Sequence, residues 1–168
     1  MIVVLMGVSG SGKTAIGREL AARLGSEFLD GDDFHPEASV ARMAAGMPLE
    51  DEDRWPWLER LNALLKERAR RGVDAVLACS ALKESYRERL LQDVASVRLV
   101  YLHAPIDVIR SRLEARRHRY MPASLLESQF AALEPPREAI VVDVAAELGP
   151  CLAAIEAALA LRPANGAG

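Results

Sequence analysis

The junction that most constrains this chain lies near its start, where Ile2-Val3-Val4-Leu5-Met6 runs straight into Gly7-Val8-Ser9-Gly10-Ser11-Gly12-Lys13-Thr14. A short continuous apolar run of this kind suits a strand buried on both faces of a parallel sheet. The eight residues after it fit G-x-x-x-x-G-K-[ST], and Ile16, Leu20 and Leu24 then recur at helical spacing, with Gly25 placed for a left-handed cap. In the order strand, glycine turn, helix, successive backbone N–H groups curl toward a phosphate and the helix N-terminus adds its positive dipole end. Lys13 then reaches the β- and γ-phosphates of a nucleotide, and the Thr14 hydroxyl ligates Mg²⁺. Gly7, Ser9, Gly10, Ser11, Gly12, Lys13 and Thr14 are therefore candidate nucleotide-binding residues.

The rest of the chain continues the alternation. Strands are predicted over Glu27 to Leu29, Val73 to Cys79, Val97 to Leu102 and Ala139 to Val144. Helices are predicted from Pro56, from a Ser80 cap, from Pro105, over Ala123 to Leu133, and over Pro150 to Leu161. The stretch from Phe34 to Arg54 has no clear period and reads as an inserted, substrate-facing segment. Strands alternating with helices imply an α/β domain with a mostly parallel sheet, which binds ligands at the carboxyl ends of its strands. At 168 residues the chain suits one domain, expected over residues 1–162, with Pro163 to Gly168 a frayed tail.

Charge narrows the partners. Lys and Arg number 21 against 24 Asp and Glu, a net −3, so no global field draws nucleic acid or an anionic membrane. A small molecule is expected instead. Cys79 and Cys151 lack metal-ligand spacing and read as buried thiols of a reducing compartment. The first apolar run is too short for a membrane span and no basic signal region precedes it, so a cytoplasmic location is expected.

Phosphate loops serve kinases, ATPases and switches alike. Switches and many ATPases carry a Mg²⁺-organising aspartate on a later strand, yet the third strand here ends Leu77-Ala78-Cys79-Ser80. Asp143 is the nearest substitute and otherwise a turn cap. Asp30 and Asp32 follow the second strand two residues apart, so both can point the same way, one toward metal-bound water and one toward an acceptor hydroxyl. That pairing suits a small-molecule kinase; the competing reading is an aspartate turn bonded to its own backbone.

These residues carry a resemblance. The chain resembles the bacterial-type gluconate kinases, small phosphate-loop enzymes related to shikimate and adenylate kinases. It does so through the phosphate loop, Leu29-Asp30-Gly31-Asp32-Asp33-Phe34-His35-Pro36, Gly46-Met47-Pro48-Leu49, Asp51 to Leu58, Ala78-Cys79-Ser80-Ala81-Leu82-Lys83 with Tyr86-Arg87, and Ser128-Gln129-Phe130 with Leu133-Glu134. The resemblance implies ATP and Mg²⁺, phosphorylation of D-gluconate to 6-phospho-D-gluconate, a five-stranded parallel sheet of the P-loop NTPase fold, a mobile lid and a homodimer. Departures fall at Ser39, where the family often has Asn, at Arg42, where it often has Lys, and at His118-Arg119-Tyr120 in the lid.

Within that frame each role has a chemical reason. Phosphoryl transfer needs positioning and positive charge, for which Lys13, Lys83, Arg112 and Arg116 are candidates, the two arginines sharing one helical face. Asp30 holds Mg²⁺ through water, and Asp32 takes the proton of the 6-hydroxyl. A carboxylate on the acceptor calls for a guanidinium fork, supplied by Arg54 or Arg87, while His35 and Lys83 bind acceptor hydroxyls or the transferring phosphate. Trp55 and Trp57 are expected in the core and His103 in a structural role. A kinase for another sugar acid, and a nucleotide-binding regulator without turnover, remain the competing readings.

Overall fold

The computed structural model describes residues 1–45, 47, 49–115 and 123–161. The elements run β1 (Ile2–Met6), α1 (Lys13–Leu24), β2 (Glu27–Asp30), a 3-10 turn (Gly31–Phe34), α2 (Glu37–Ala44), α3 (Asp51–Arg70), β3 (Ala75–Ala78), α4 (Glu84–Leu91), β4 (Val97–His103), α5 (Ile106–Ala115), α6 (Ala123–Ala132), β5 (Ile140–Asp143) and α7 (Leu148–Leu161). The strands form one sheet in the order β2-β3-β1-β4-β5, every neighbouring pair parallel. The glycine turn thus leaves the carboxyl end of the central strand, between the ends of β3 and β4.

Alternation along β1 explains the layers. Val3 and Leu5 face one side, where Ile16 and Leu20 of α1, Ile109 of α5, Leu126 of α6 and Leu152 and Ile155 of α7 pack. Ile2, Val4 and Met6 face the other, against Trp57, Leu58, Leu61 and Leu65 of α3 and Leu90 of α4. All five β1 residues are buried, as a strand covered on both faces requires. Truncating a core leucine such as Leu61 to alanine costs about 2–5 kcal/mol through lost transfer energy and the residual cavity.

Three expectations are corrected. The segment from Phe34 to Arg54 is largely regular, since α2 occupies Glu37–Ala44 and α3 opens at Asp51. The helix does not begin at Pro56, which lies inside it. A capping box decides the start: the Glu50 side chain accepts from the Asp53 backbone, and Glu50 N–H donates to Asp53 Oδ2 at 2.9 Å. Asp51, Glu52 and Asp53 also place negative charge on the positive dipole end. Ser80 does not cap a helix, because α4 opens at Glu84 after Lys83. The remaining element boundaries shift by one or two residues, and Gly25 closes α1 with φ 62° as expected. Cys79 and Cys151 are free and buried. No helix among the described residues is long and apolar enough to cross a membrane. The expected tail, Pro163 to Gly168, lies outside the described residues.

Candidate active site

The phosphate loop is held by its contacts as well as by its glycines. At Gly7, φ is +149° and an added Cβ would stand 2.7 Å from the Leu102 carbonyl oxygen of β4. At Gly10, φ is +84° and a Cβ would press at 3.0 Å on Ile109 and Leu113 of α5. Side chains are excluded there sterically and by the left-handed backbone. Gly7 N–H donates to the Ser80 carbonyl at 3.2 Å, which ties the loop to the segment after β3. Lys13 Nζ donates to the Gly7 and Val8 carbonyls, each at 3.0 Å, so its ammonium lies over the loop. Burial pushes the Lys13 pKa below its ordinary value, and the charges of Asp32 and Asp30 act in the opposite direction.

Thr14 Oγ1 donates to Asp30 Oδ2 at 2.9 Å, joining the first turn of α1 to the end of β2. A hydroxyl and a carboxylate in contact form a hard oxygen donor set that fits Mg²⁺ completed by water and phosphate oxygens. Among the described residues no group of three or more His, Cys, Asp or Glu could hold an ion unaided. Ser11 Oγ, buried within the loop, has no hydrogen-bond partner, as expected of a cradle shaped for a polar guest.

Asp32 belongs to the 3-10 turn and not to the strand, which corrects the strand-end geometry. Asp30 Oδ1 accepts from Asp32 N–H at 3.2 Å, so Asp30 caps the turn while its other oxygen meets Thr14. The aspartate turn is thus bonded to its own backbone, with Asp30 Oδ2 left to face Thr14. The Asp32 carboxylate itself is 83% exposed, with His35 Nε2 3.9 Å from its Oδ1. The turn is fixed from beneath, as Trp57 Nε1–H donates to the Gly31 carbonyl at 2.7 Å, and a Cβ at Gly31 would stand 2.8 Å from the Ala78 carbonyl oxygen.

His35 stacks on Trp57 with ring centroids 4.2 Å apart and planes 13° from parallel. Its Nδ1 is buried without a partner, as is Nε of Arg54. Burial pushes the His35 pKa down, opposed by Asp32 and reinforced by Arg54. Arg54 donates from Nη2 to the Leu49 carbonyl at 3.3 Å and lies over the Tyr86 ring at 5.6 Å. Trp57 is core, and Trp55 packs edge-on against Tyr86.

The other candidates are each held by partners within the fold. Lys83 Nζ meets Asp51 Oδ1 and Oδ2 at 2.8 and 2.9 Å, and Tyr86 Oη donates to the same carboxylate. The bonds from Lys83 and then from Tyr86 pull the Asp51 pKa below its ordinary value. Arg87 is buried, and its Nη1 donates to the Ala81 and Leu82 carbonyls at 3.0 and 2.9 Å. There it braces a left-handed alanine, Ala81, with φ 43°. Arg112 Nη2 reaches the Ala146 carbonyl at 3.5 Å, at the foot of α7. Arg116 and the His118-Arg119-Tyr120 departure lie outside the described residues. Asp143 Oδ1 accepts from Ala145 N–H at 2.8 Å, a turn cap, and His103 Nδ1 meets Tyr101 Oη at 3.1 Å. Burial pushes the Cys79 thiol up to about 12, so it stays protonated and unreactive.

Sequence reasoning gave no role to three residues that the structure places here. Asp51 joins α3 to Lys83; Arg42 Nη1 meets both oxygens of Asp53 at 3.0 and 2.8 Å, joining α2 to α3. Gln129 of α6 meets Ser9 of the loop, its Oε1 accepting from Ser9 N–H at 2.7 Å. The resemblance marked these positions but not their partners, which lie 32, 11 and 120 residues away.

Comparison with known proteins agrees with this geometry. A family model described as an AAA domain matches residues 2–136. The chain is 45% identical over 134 residues to the thermosensitive gluconokinase of Escherichia coli K12, covering 80% of this chain and 72% of that one. It is 41% identical over 174 residues to a probable gluconokinase of Xenopus tropicalis, covering 93% and 92%. The crystal structure of a gluconokinase from Sinorhizobium meliloti 1021 superposes with a TM-score of 0.87 at 39% identity, covering 95% of this chain and 91% of that one. With the loop, the aspartate turn and the sheet order in place, these likenesses show that the chain belongs to the gluconokinase family of P-loop kinases.

Proposed function

We propose that the chain transfers the γ-phosphoryl group of ATP to the 6-hydroxyl of D-gluconate, giving ADP and 6-phospho-D-gluconate. The observation that carries this reading is the pair of buried polar atoms without a hydrogen-bond partner, His35 Nδ1 and Arg54 Nε, the His35 ring lying 3.9 Å from Asp32 Oδ1 through its other nitrogen. Leaving such groups unpaired costs about 1–3 kcal/mol each, and an acceptor rich in hydroxyls and ending in a carboxylate supplies the missing partners.

The roles follow from position. The loop amides and Lys13 hold the transferring group, and Asp32, exposed at the mouth of the site, orients the acceptor hydroxyl and takes its proton as the new phosphorus–oxygen bond forms. Thr14, with Asp30 through water, holds the Mg²⁺ that comes with the nucleotide and offsets charge on the phosphate oxygens. Arg54 takes the acceptor carboxylate. Arg112 and Arg116 add positive charge over the nucleotide. Lys83, with Asp51, and Arg87, clamped on the Ala81 and Leu82 carbonyls, shape the acceptor wall. In the same reading residues 1–162 are one kinase domain, acting in the cytoplasm as a homodimer.

ADP release with Mg²⁺-ATP against D-gluconate, other aldonates, glycerate, shikimate and glucose tests the reading, with an acceptor-free control. Turnover that depends on gluconate supports it. Turnover on another acid alone replaces the substrate, and nucleotide binding without turnover on any acceptor overturns the catalytic reading.

A further inference from the structure

Residues 129 to 134 touch both halves of the site without belonging to either. At one end the Gln129 carboxamide grips Ser9 at two points: Oε1 accepts from Ser9 N–H at 2.7 Å, and Nε2 donates to Ser9 Oγ at 3.2 Å. At the other end Glu134 N–H donates to the Leu82 carbonyl at 2.9 Å, and Glu134 Oε2 accepts from Glu84 N–H at 2.6 Å. The Leu82 carbonyl is the same one that Arg87 holds, so Glu134 and Arg87 both fix one strained turn. Between these ends the segment is seated by hydrophobic packing. Phe130 packs on the α1 side of the sheet, and Leu133 touches the cores on both sides. Pro135 and Pro136 follow at once and hold the preceding backbone extended.

We infer that this segment is a strut that sets the spacing between the phosphate loop and the acceptor-side turn, with Gln129 the positioning residue at its phosphate end. The inference rests on the kinase reading and deepens it. A neutral carboxamide suits the place: it supplies an acceptor for the amide and a donor for the hydroxyl without adding negative charge beside a phosphate site. Transfer between two bound groups falls steeply when their separation changes by an ångström, whereas the binding of each group alone does not. Loss of the strut therefore lowers kcat and leaves the two KM values nearly unchanged.

The test compares Gln129→Ala, Ser9→Ala and the double variant with the parent chain, measuring kcat, both KM values and thermal midpoints. Gln129→Ala is expected to lower kcat about ten- to a hundredfold with each KM within about twofold and little change in midpoint. In the Ser9→Ala background the same change is expected to cost less, because one of the two contacts is already gone. At the far end, Glu134→Ala is expected to lower kcat and Glu134→Gln to restore it, since an amide oxygen still accepts from Glu84 N–H. Near-normal kcat for Gln129→Ala, a loss confined to the KM for ATP, or a fall in kcat that only tracks the midpoint overturns the strut while leaving the kinase reading standing. A parent chain that turns over no acceptor fails that reading first.

Discussion

The two sides of the site are built by different means. The proposed nucleotide side is built of backbone: a buried strand, glycines that admit the turn and the first turn of a helix, all contiguous from Ile2 to Leu24. On the acceptor side the proposed reading draws on side chains from separate stretches, with Asp32 and His35 from the turn after β2, Arg54 from α3, and Lys83 and Tyr86 held on Asp51. Phosphate is the same in every nucleotide, so a fixed backbone cradle suffices. An acceptor must be told from its isomers, which needs placed side chains and therefore tertiary structure.

This contrast is sharpest where the charge is greatest. Lys13→Ala removes the one ammonium lying over the loop and is expected to lower kcat by about 10³-fold or more, whichever acceptor is used, in steady-state assays. Asp32→Asn is expected to lower kcat about 10²- to 10³-fold while leaving nucleotide affinity by titration calorimetry within about twofold. Near-normal turnover in that variant removes Asp32 as the base. Arg54→Ala is expected to raise the gluconate KM about ten- to a hundredfold at constant KM for ATP. A rise in both KM values breaks the division into two sides.

Legibility divides along the same line. The loop, the helix behind it and its Gly25 cap were readable because each rests on neighbours in sequence. A mostly parallel sheet followed from the strand-helix alternation, and its five parallel strands from the resemblance. What escaped was α2, and the start of α3, where a proline suggested a first turn but the Glu50–Asp53 capping box set the boundary earlier. Pairings across the fold also escaped, such as Lys83 with Asp51 and Gln129 with Ser9, because nothing local in the chain predicts which distant residue will answer a given charge or amide. Arg87 shows the converse. A guanidinium set beside Lys83 in a resembling block reads as a ligand, yet in the fold it spends its Nη1 on two carbonyls of a strained turn.

The smallest effect expected separates the two sides by pH. His35 lies with its side chain 5% exposed against Trp57, and its folded pKa is pushed below the ordinary value of 6.5, burial being the first cause. Below that ordinary value the unfolded chain binds a proton that the folded chain resists, so the unfolded state carries more protons and stability rises with pH. The contribution is complete above about pH 6.5 and is lost as pH falls toward the lower folded value. Its slope cannot exceed the limit for one proton, about 1.4 kcal/mol per pH unit. Urea unfolding between pH 5 and 7 is expected to show this slope in the parent chain and a flatter one in His35→Gln, whose overall stability is lower through loss of the ring stack. Parallel slopes in the two chains would assign the titration to another group and leave the acceptor side without its buried neutral imidazole.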